Sequence, residues 1–428
     1  MTGNEPVVAP TMQGPAADRA RRRFKRVICL VVALFGWADL SILASAGLSK
    51  RPPEAAFDLQ LLLDAGRRVA AGQSPYDFSA VAHGLTGRDL FYSYPPIVAQ
   101  FFAPFSGAPA WLFLVFWGAG AAAGFAVFAA LLARSPVGRA NSGECVTALD
   151  AVLVAMATAP FFFPFLVGLL FGNADIWYPL LFGAVALALA SRGSVPSRAV
   201  SIAGGAALAI ATVVKLHPGT LMIWLAVRWH VARDSNGVRG ARRSLAIVIG
   251  SAVVTGAVLL AISLAAGGIG PWRDYLDYLR VTGNADLATG VNIGPASQFA
   301  LLAGNGGLAH SLAVVFGLVA VAATVVAARW VRDPLESLGW GVVASLIVLP
   351  VTWYHYPVAL MPIALAAWMR SRGSPNGRRV TATLLGAYVV ADAAILAPVV
   401  LWAAVALLFV GIRSSRPVDL GLAASAPV

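Results

Sequence analysis

The chain alternates long apolar blocks with short polar intervals. The apolar runs lie near 27–48, 95–133, 147–170, 174–191, 199–214, 218–230, 244–267, 307–328, 335–352, 356–369, 380–397 and 399–412. The run at 95–133 divides into a short re-entrant or interfacial piece and a full span from about Trp111. A helix needs about 20 mostly apolar residues to cross the hydrocarbon core, so the pattern predicts an all-α polytopic membrane protein with about eleven or twelve transmembrane helices. They form one domain over 27–412 and leave no room for a separate soluble domain. Two polar intervals are long, an opening loop at about 49–94 and a later one at about 268–306.

Charge orients this pattern. Residues 1–26 are polar and then strongly basic, with Arg19, Arg21, Arg22, Arg23, Lys25 and Arg26, and predict a disordered cytoplasmic N-terminus. Residues 413–428 make a short cytoplasmic tail. Ala44-Ser45-Ala46 could mark a signal cleavage site, but the apolar run is long enough to stay as an anchor. Alternating sides from a cytoplasmic N-terminus leaves only Lys50, Arg51, Arg67, Arg68, Arg88, Lys215, Arg273 and Arg280 of the 31 basic residues outside, the excess expected of cytoplasmic loops.

Composition supports the same class. Hydrophobic residues make up 59% and charged residues 12%, with a mean hydropathy of +0.78, against roughly 25% charged in soluble domains. The net charge of +12 is scattered through short loops, so topology explains it and nucleic acid is excluded as a partner. The cytoplasmic loops carry no glycine-rich phosphate motif, which argues against nucleotide chemistry there. Cys29 and Cys145 cannot build a disulfide framework or a thiolate metal site. Lysine occurs only at positions 25, 50 and 215 among abundant Ala, Gly and Arg, a bias of high-GC bacterial genomes that points to a bacterial plasma membrane.

The opening loop concentrates acids in an acid-poor chain: Glu54, Asp58, Asp64, Asp77 and Asp89. If Phe57 to Ala71 is a helix, Asp58 and Asp64 face opposite ways. Asp64 has Arg67 and Arg68 at i+3 and i+4, an ordinary solvated pair, whereas Asp58 has Leu61 and Leu62 there. Asp58 is then either a helix N-cap or a carboxylate turned to a membrane-side cleft, where it is expensive unless used. The other unusual polar residues fall on the same face: Gly172-Asn173-Ala174-Asp175, Lys215-Leu216-His217-Pro218 and Trp353-Tyr354-His355-Tyr356.

Asp58, Gly72/Pro75/Tyr76, Tyr94/Pro95/Pro96, the 172–175 and 215–218 turns and the 353–356 run stand in an order that resembles glycosyltransferase family 87. These are GT-C-type mannosyltransferases that use polyprenyl-phosphate sugars, typified by those acting on phosphatidylinositol mannosides. The chain departs from the family pattern at Asn173 and Asp175, where Gln and Asn are more usual. The resemblance implies a GT-C-like bundle with an extracytoplasmic amphipathic helix carrying the catalytic Asp58, the candidate general base. It implies an inverting transfer of mannose from polyprenyl-phosphate-mannose to a glycolipid or lipoglycan acceptor. A lipid-phosphate leaving group needs a base for the acceptor hydroxyl and positive charge for the phosphate, with the base on the opposite face of the sugar. Lys215, an isolated cation between apolar runs, is the first candidate for that charge, followed by His355, His217 and Arg273. Tyr76, Tyr94, Asn173, Asp175, Trp353 and Asn292 are the candidates for sugar and acceptor contacts. No external cluster has metal-ligand spacing, and the reading requires no cofactor or metal. An arabinose or glucose donor is the alternative within this fold. The other alternative is a lipid or sugar transporter coupled through Asp39 and Asp392.

Overall fold

The computed structural model describes residues 15–50, 54–79, 92–139, 146–189, 196–232, 239–282 and 287–416. Among these, helices and short 3-10 turns supply all the regular structure. In chain order, leaving aside the single helical turn Pro136–Arg139, the helices are α1 (Pro15–Ser49), α2 (Phe57–Ala70), α3 (Pro96–Phe102), α4 (Ala110–Arg134), α5 (Ala148–Thr158), α6 (Phe163–Phe171), α7 (Tyr178–Leu189) and α8 (Arg198–Val214). They continue as α9 (Leu221–Val231), α10 (Arg239–Gly267), α11 (Gly270–Thr282), α12 (Pro295–Leu302), α13 (Leu308–Trp330), α14 (Pro334–Ile347), α15 (Met361–Ser371), α16 (Gly377–Asp392) and α17 (Val400–Ser414). The protein is an all-α polytopic membrane protein.

The apolar runs reappear as helices within a few residues, yet among the described residues fewer of them form single helices long and apolar enough to cross a bilayer than the run lengths suggest. Among the described residues, α1, α4, α10 and α13 are long and apolar enough to cross a bilayer. A fifth crossing arises if the pair 148–161 and 163–171, bent by 74°, counts as one. Proline explains the bend, because Pro160 lacks an amide donor and Pro164 opens the second half. The expected re-entrant piece before Trp111 is present as α3 with its 3-10 extension, ahead of the full span α4.

Two expectations change. The basic segment from Pro15 onward is the first part of α1, not a disordered arm, because it continues one unbroken helix through Ser49; residues 1–14 and 417–428 lie outside the described residues. The later polar interval carries α11 and α12. Asp39 and Asp392 are exposed on the outside of the bundle, which removes the facing pair a coupled transporter would use.

Two apolar cores, beside a minor cluster of Leu287, Ala300 and Ala309, organise the molecule. The larger joins α4 to α9 and α14 to α17 around Phe125, Phe128, Phe162, Phe165, Phe182 and Trp224. The smaller lies under α2, where Leu59, Leu62 and Leu63 meet Phe102, Tyr76, Tyr92, Tyr275 and Tyr278. This second core seats the amphipathic helix on the bundle. Gly66 allows the contact, since a Cβ there would stand 2.8 Å from the Phe102 carbonyl carbon.

At the arginine-rich end, charges assigned from sequence to topology alone also hold helices together. Arg370 binds both oxygens of Asp333 at 3.0 Å, the Ser415 hydroxyl at 2.7 Å and the Ile412 carbonyl at 3.1 Å, joining α14, α15 and α17.

Candidate active site

The site starts from the joint between α2 and α6. Ala56 precedes α2 in the left-handed region, at φ 60°, and its amide donates to the Leu170 carbonyl at 2.7 Å. α6 ends at Gly172, at φ +70°, where a Cβ would stand 2.6 Å from the Leu59 Cβ. Glycine is therefore needed there twice, for the backbone sign and for the close approach of α2. The joint fixes the first turn of α2 against the turn that follows α6.

Asp58 is the second residue of α2, and no side chain caps the helix, so the N-cap alternative falls away. Its Oδ2 accepts a hydrogen bond from the Asn173 amide at 2.7 Å, and the same amide nitrogen lies 3.4 Å from the Tyr94 hydroxyl. The Asn173 Oδ1 accepts from the Asp175 backbone N–H at 3.0 Å, capping the 3-10 turn Ala174–Trp177. Its other acids pair locally: Glu54 with Lys50, Asp64 with Arg67 and Asp77 with Arg68. Asp89 lies outside the described residues. Among those described, Asp58 is the acid of this stretch that no cation pairs.

Beside it sits a buried ionic centre. Lys215, extended at the end of α8, donates to the Asp175 Oδ2 at 3.1 Å and to the His355 Nε2 at 3.2 Å. Its ammonium stands 4.1 Å from the centre of the Tyr356 ring and 5.5 Å from that of Tyr94. An ammonium cannot accept, so Nε2 of His355 is the acceptor and its ring proton is on Nδ1. His217 stacks on Tyr356 with ring centres 5.4 Å apart, and its Nδ1 lies 3.2 Å from the Ser345 hydroxyl. The Tyr178 hydroxyl stands beside both Asp175 and His217.

Burial sets the protonation states. It raises the Asp58 carboxyl to about 6, against the lowering effects of the Asn173 hydrogen bond and the Lys215 charge; Asp175 raises it further. Burial lowers Lys215, opposed by Asp175 and Asp58. Burial and the neighbouring Lys215 charge hold His355 and His217 well below the usual histidine range, so both are neutral near pH 7.

The structure thus brings together Asp58, Tyr94, Asn173, Asp175, Lys215, His217 and His355, from five separated parts of the chain, and leaves four expected residues elsewhere. Arg273 is exposed on α11 with no hydrogen bond or ion pair to this group. Tyr76 is buried, stacked on Tyr275, and its hydroxyl donates to the Tyr94 carbonyl at 2.9 Å, so it supports Tyr94 and cannot stack on a sugar. Asn292 is buried and clasps main chain, donating to the Pro350 carbonyl at 3.1 Å and accepting from the Thr352 amide at 2.9 Å. Trp353 is half-buried, and its carbonyl accepts from the Tyr356 N–H at 3.1 Å. The neutral histidines correct their expected role as cations. Tyr356 and Tyr178 were not expected as site residues; the signal for Tyr356 was its adjacency to His355. Among the described residues no group of three or more His, Cys, Asp or Glu is placed to hold a metal ion.

The sequence model of glycosyltransferase family 87 matches residues 92–352. The chain belongs to glycosyltransferase family 87. The matched region contains Tyr94, Asn173, Asp175, Lys215 and His217 and ends just before His355, while Asp58 and α2 precede it. No curated protein and no solved structure matches the chain.

Proposed function

We propose that this glycosyltransferase moves mannose from polyprenyl-phosphate-mannose to a glycolipid or lipoglycan acceptor at the extracytoplasmic face, with inversion, in a GT-C-type bundle. The observation that carries the mechanism is Asp58: a carboxylate without an ion-pair partner, held by one neutral amide, with its proton affinity raised to about 6. That affinity suits a general base, since the group is ionised near pH 7 yet takes a proton readily.

In this reading the Asp58 Oδ removes the proton of the acceptor hydroxyl as its oxygen attacks the anomeric carbon. The bond from that carbon to the phosphate oxygen breaks on the opposite face, and the polyprenyl phosphate leaves as the anion. Lys215 is the cation the fold places nearest Asp58, but its hydrogens already face Asp175, His355 and the Tyr356 ring. It reaches the departing phosphate by exchanging neutral His355 for the anion, which keeps the Asp175 pair intact. Asn173 and Asp175 are positioning residues, and Tyr94 lines the space beside Asp58.

Mannose rather than arabinose or glucose rests on the family resemblance. The test is sugar transfer by purified protein in detergent with each polyprenyl-phosphate sugar in turn. Asp58→Asn, nearly isosteric, is expected to lose about 100-fold to 10,000-fold in kcat while the protein remains folded. Activity within a few-fold of the parent would remove Asp58 from the reaction.

A further inference from the structure

At the other end of α1, remote from Asp58, the structure has a second built feature. A cavity of about 230 Å3 opens between residues 22–29 of α1, the first turns of α5 and the end of α15, lined by Arg22, Lys25, Arg26, Asp150, Trp368 and Arg372 together with apolar residues of α1 and α5. Arg26 is committed within the wall, donating to Asp150 at 2.7 Å and to the Thr147 hydroxyl at 3.2 Å. Asp150 is further committed to Thr147, whose backbone N–H it accepts at 3.1 Å in the cap of α5. The one acid of the lining is therefore neutralised. Arg22 and Lys25 are exposed, with no hydrogen bond or ion pair to the protein among the described residues. Arg372 lies over the Trp368 ring, 5.4 Å from its centre. Arg22 and Lys25 consequently give the cavity its uncompensated positive charge.

Its place and size narrow the ligand. From Arg26 to Ser49 α1 rises about 35 Å at 1.5 Å per residue, about the thickness of a hydrocarbon core, so the cavity lies one bilayer away from the catalytic end. The volume is below the roughly 300–1,000 Å3 of pockets that enclose drug-sized ligands, which suits a phosphate-ester headgroup rather than an enclosed nucleotide sugar. Above the cavity an apolar ridge of Ile28, Val32 and Phe35 runs up α1 at helical spacing, and all three are exposed. Cations beneath an exposed apolar ridge at the end of a membrane helix match a phospholipid, headgroup below and acyl chains alongside.

We infer that this cavity binds the phosphate headgroup of an anionic phospholipid of the leaflet opposite the catalytic face. The site is independent of the sugar-transfer reading, and its occupant is a membrane lipid rather than donor or acceptor.

The experiment uses the full chain purified in detergent with equal phosphatidylglycerol and phosphatidylcholine, and counts retained lipids by native mass spectrometry. Wild type is expected to retain phosphatidylglycerol at least about ten-fold over phosphatidylcholine. R22Q/K25Q, which alters two exposed side chains, is expected to lower the affinity for phosphatidylglycerol by about 25-fold, roughly five-fold per cation. Arg280→Gln, at a distant exposed cation, is expected to leave the preference unchanged. Equal retention of the two lipids by wild type, or full preference in the double variant, would overturn the site. A parallel arm heats the protein with inorganic phosphate or with phosphatidylglycerol. Protection by phosphatidylglycerol alone supports the lipid, and equal protection by inorganic phosphate overturns its assignment.

Discussion

Replacing Asn173 by alanine removes the hydrogen bond of 2.7 Å that the amide donates to Asp58. The Asp58 proton affinity is a balance, raised by burial and Asp175 and lowered by Asn173 and Lys215, that settles at about 6. A hydrogen bond to a charged group contributes roughly 1.5–3 kcal/mol, and one pKa unit corresponds to about 1.36 kcal/mol. Because the lost bond favours the ionised form, Asp58 moves upward by about one to two units. At pH 7 the ionised fraction falls from about nine-tenths to between about one-half and one-tenth. With Asp58 as the proposed base, transfer requires its ionised form, so activity is expected to fall as pH drops through the Asp58 value. The acid limb of kcat/KM is therefore expected to shift from about 6 to about 7–8, with activity recovering at more alkaline pH. Asn173 also caps the turn carrying Asp175, and losing that cap costs about 1 kcal/mol of stability. This second effect reduces the folded fraction at every pH and does not move the limb. The assay is sugar transfer by purified enzyme from about pH 5 to about pH 9, normalised to folded protein. A drop that is uniform across pH, with the acid limb still near 6, would refute the account of Asp58.

Other substitutions probe the scaffold around the base. Lys215→Met leaves Asp175 buried without its cation and is expected to destabilise by about 3–5 kcal/mol; Asp175→Asn added to it should recover much of that loss in thermal unfolding. Gly172→Ala is expected to abolish transfer and lower the melting temperature, because a methyl at φ +70° costs about 1–2 kcal/mol and also meets the Leu59 Cβ at 2.6 Å. Ala56→Gly relieves a left-handed conformation worth about 1–2 kcal/mol but gives up a fully buried methyl worth about 0.8 kcal/mol and adds unfolded-state entropy, so the melting temperature is expected to stay near that of the parent, and a large change in either direction would contradict the balance.

Helix positions and one division of labour were legible in the sequence because both are local. Apolar run length marks where a helix lies, and the step of about 100° per residue separates Asp58 from Asp64 without any tertiary information. The structure agrees: Asp64 pairs with Arg67 one turn on, while Asp58 points into the bundle. The turns at 172–175, 215–218 and 353–356 were also identifiable as polar interruptions of apolar runs. What they do to one another was not, since a partner 40 or 140 residues away leaves no periodic trace. Lys215 read as a free cation and is an ion-pair partner of Asp175; His355 and His217 read as cations and are neutral. Both reversals come from burial, which makes an unpaired charge too costly to keep and which no single residue reveals about itself. Likewise Tyr76 and Tyr94 look alike in sequence, yet packing consigns one to a core and leaves the other beside the base. The chain's pattern thus chose a membrane bundle and nominated its acid, through local periodicity and hydration. Only the tertiary structure decided which nominated residues meet: Gly172 lets α2 close on the end of α6 and Gly66 lets it close on α3, each through the space a missing side chain leaves.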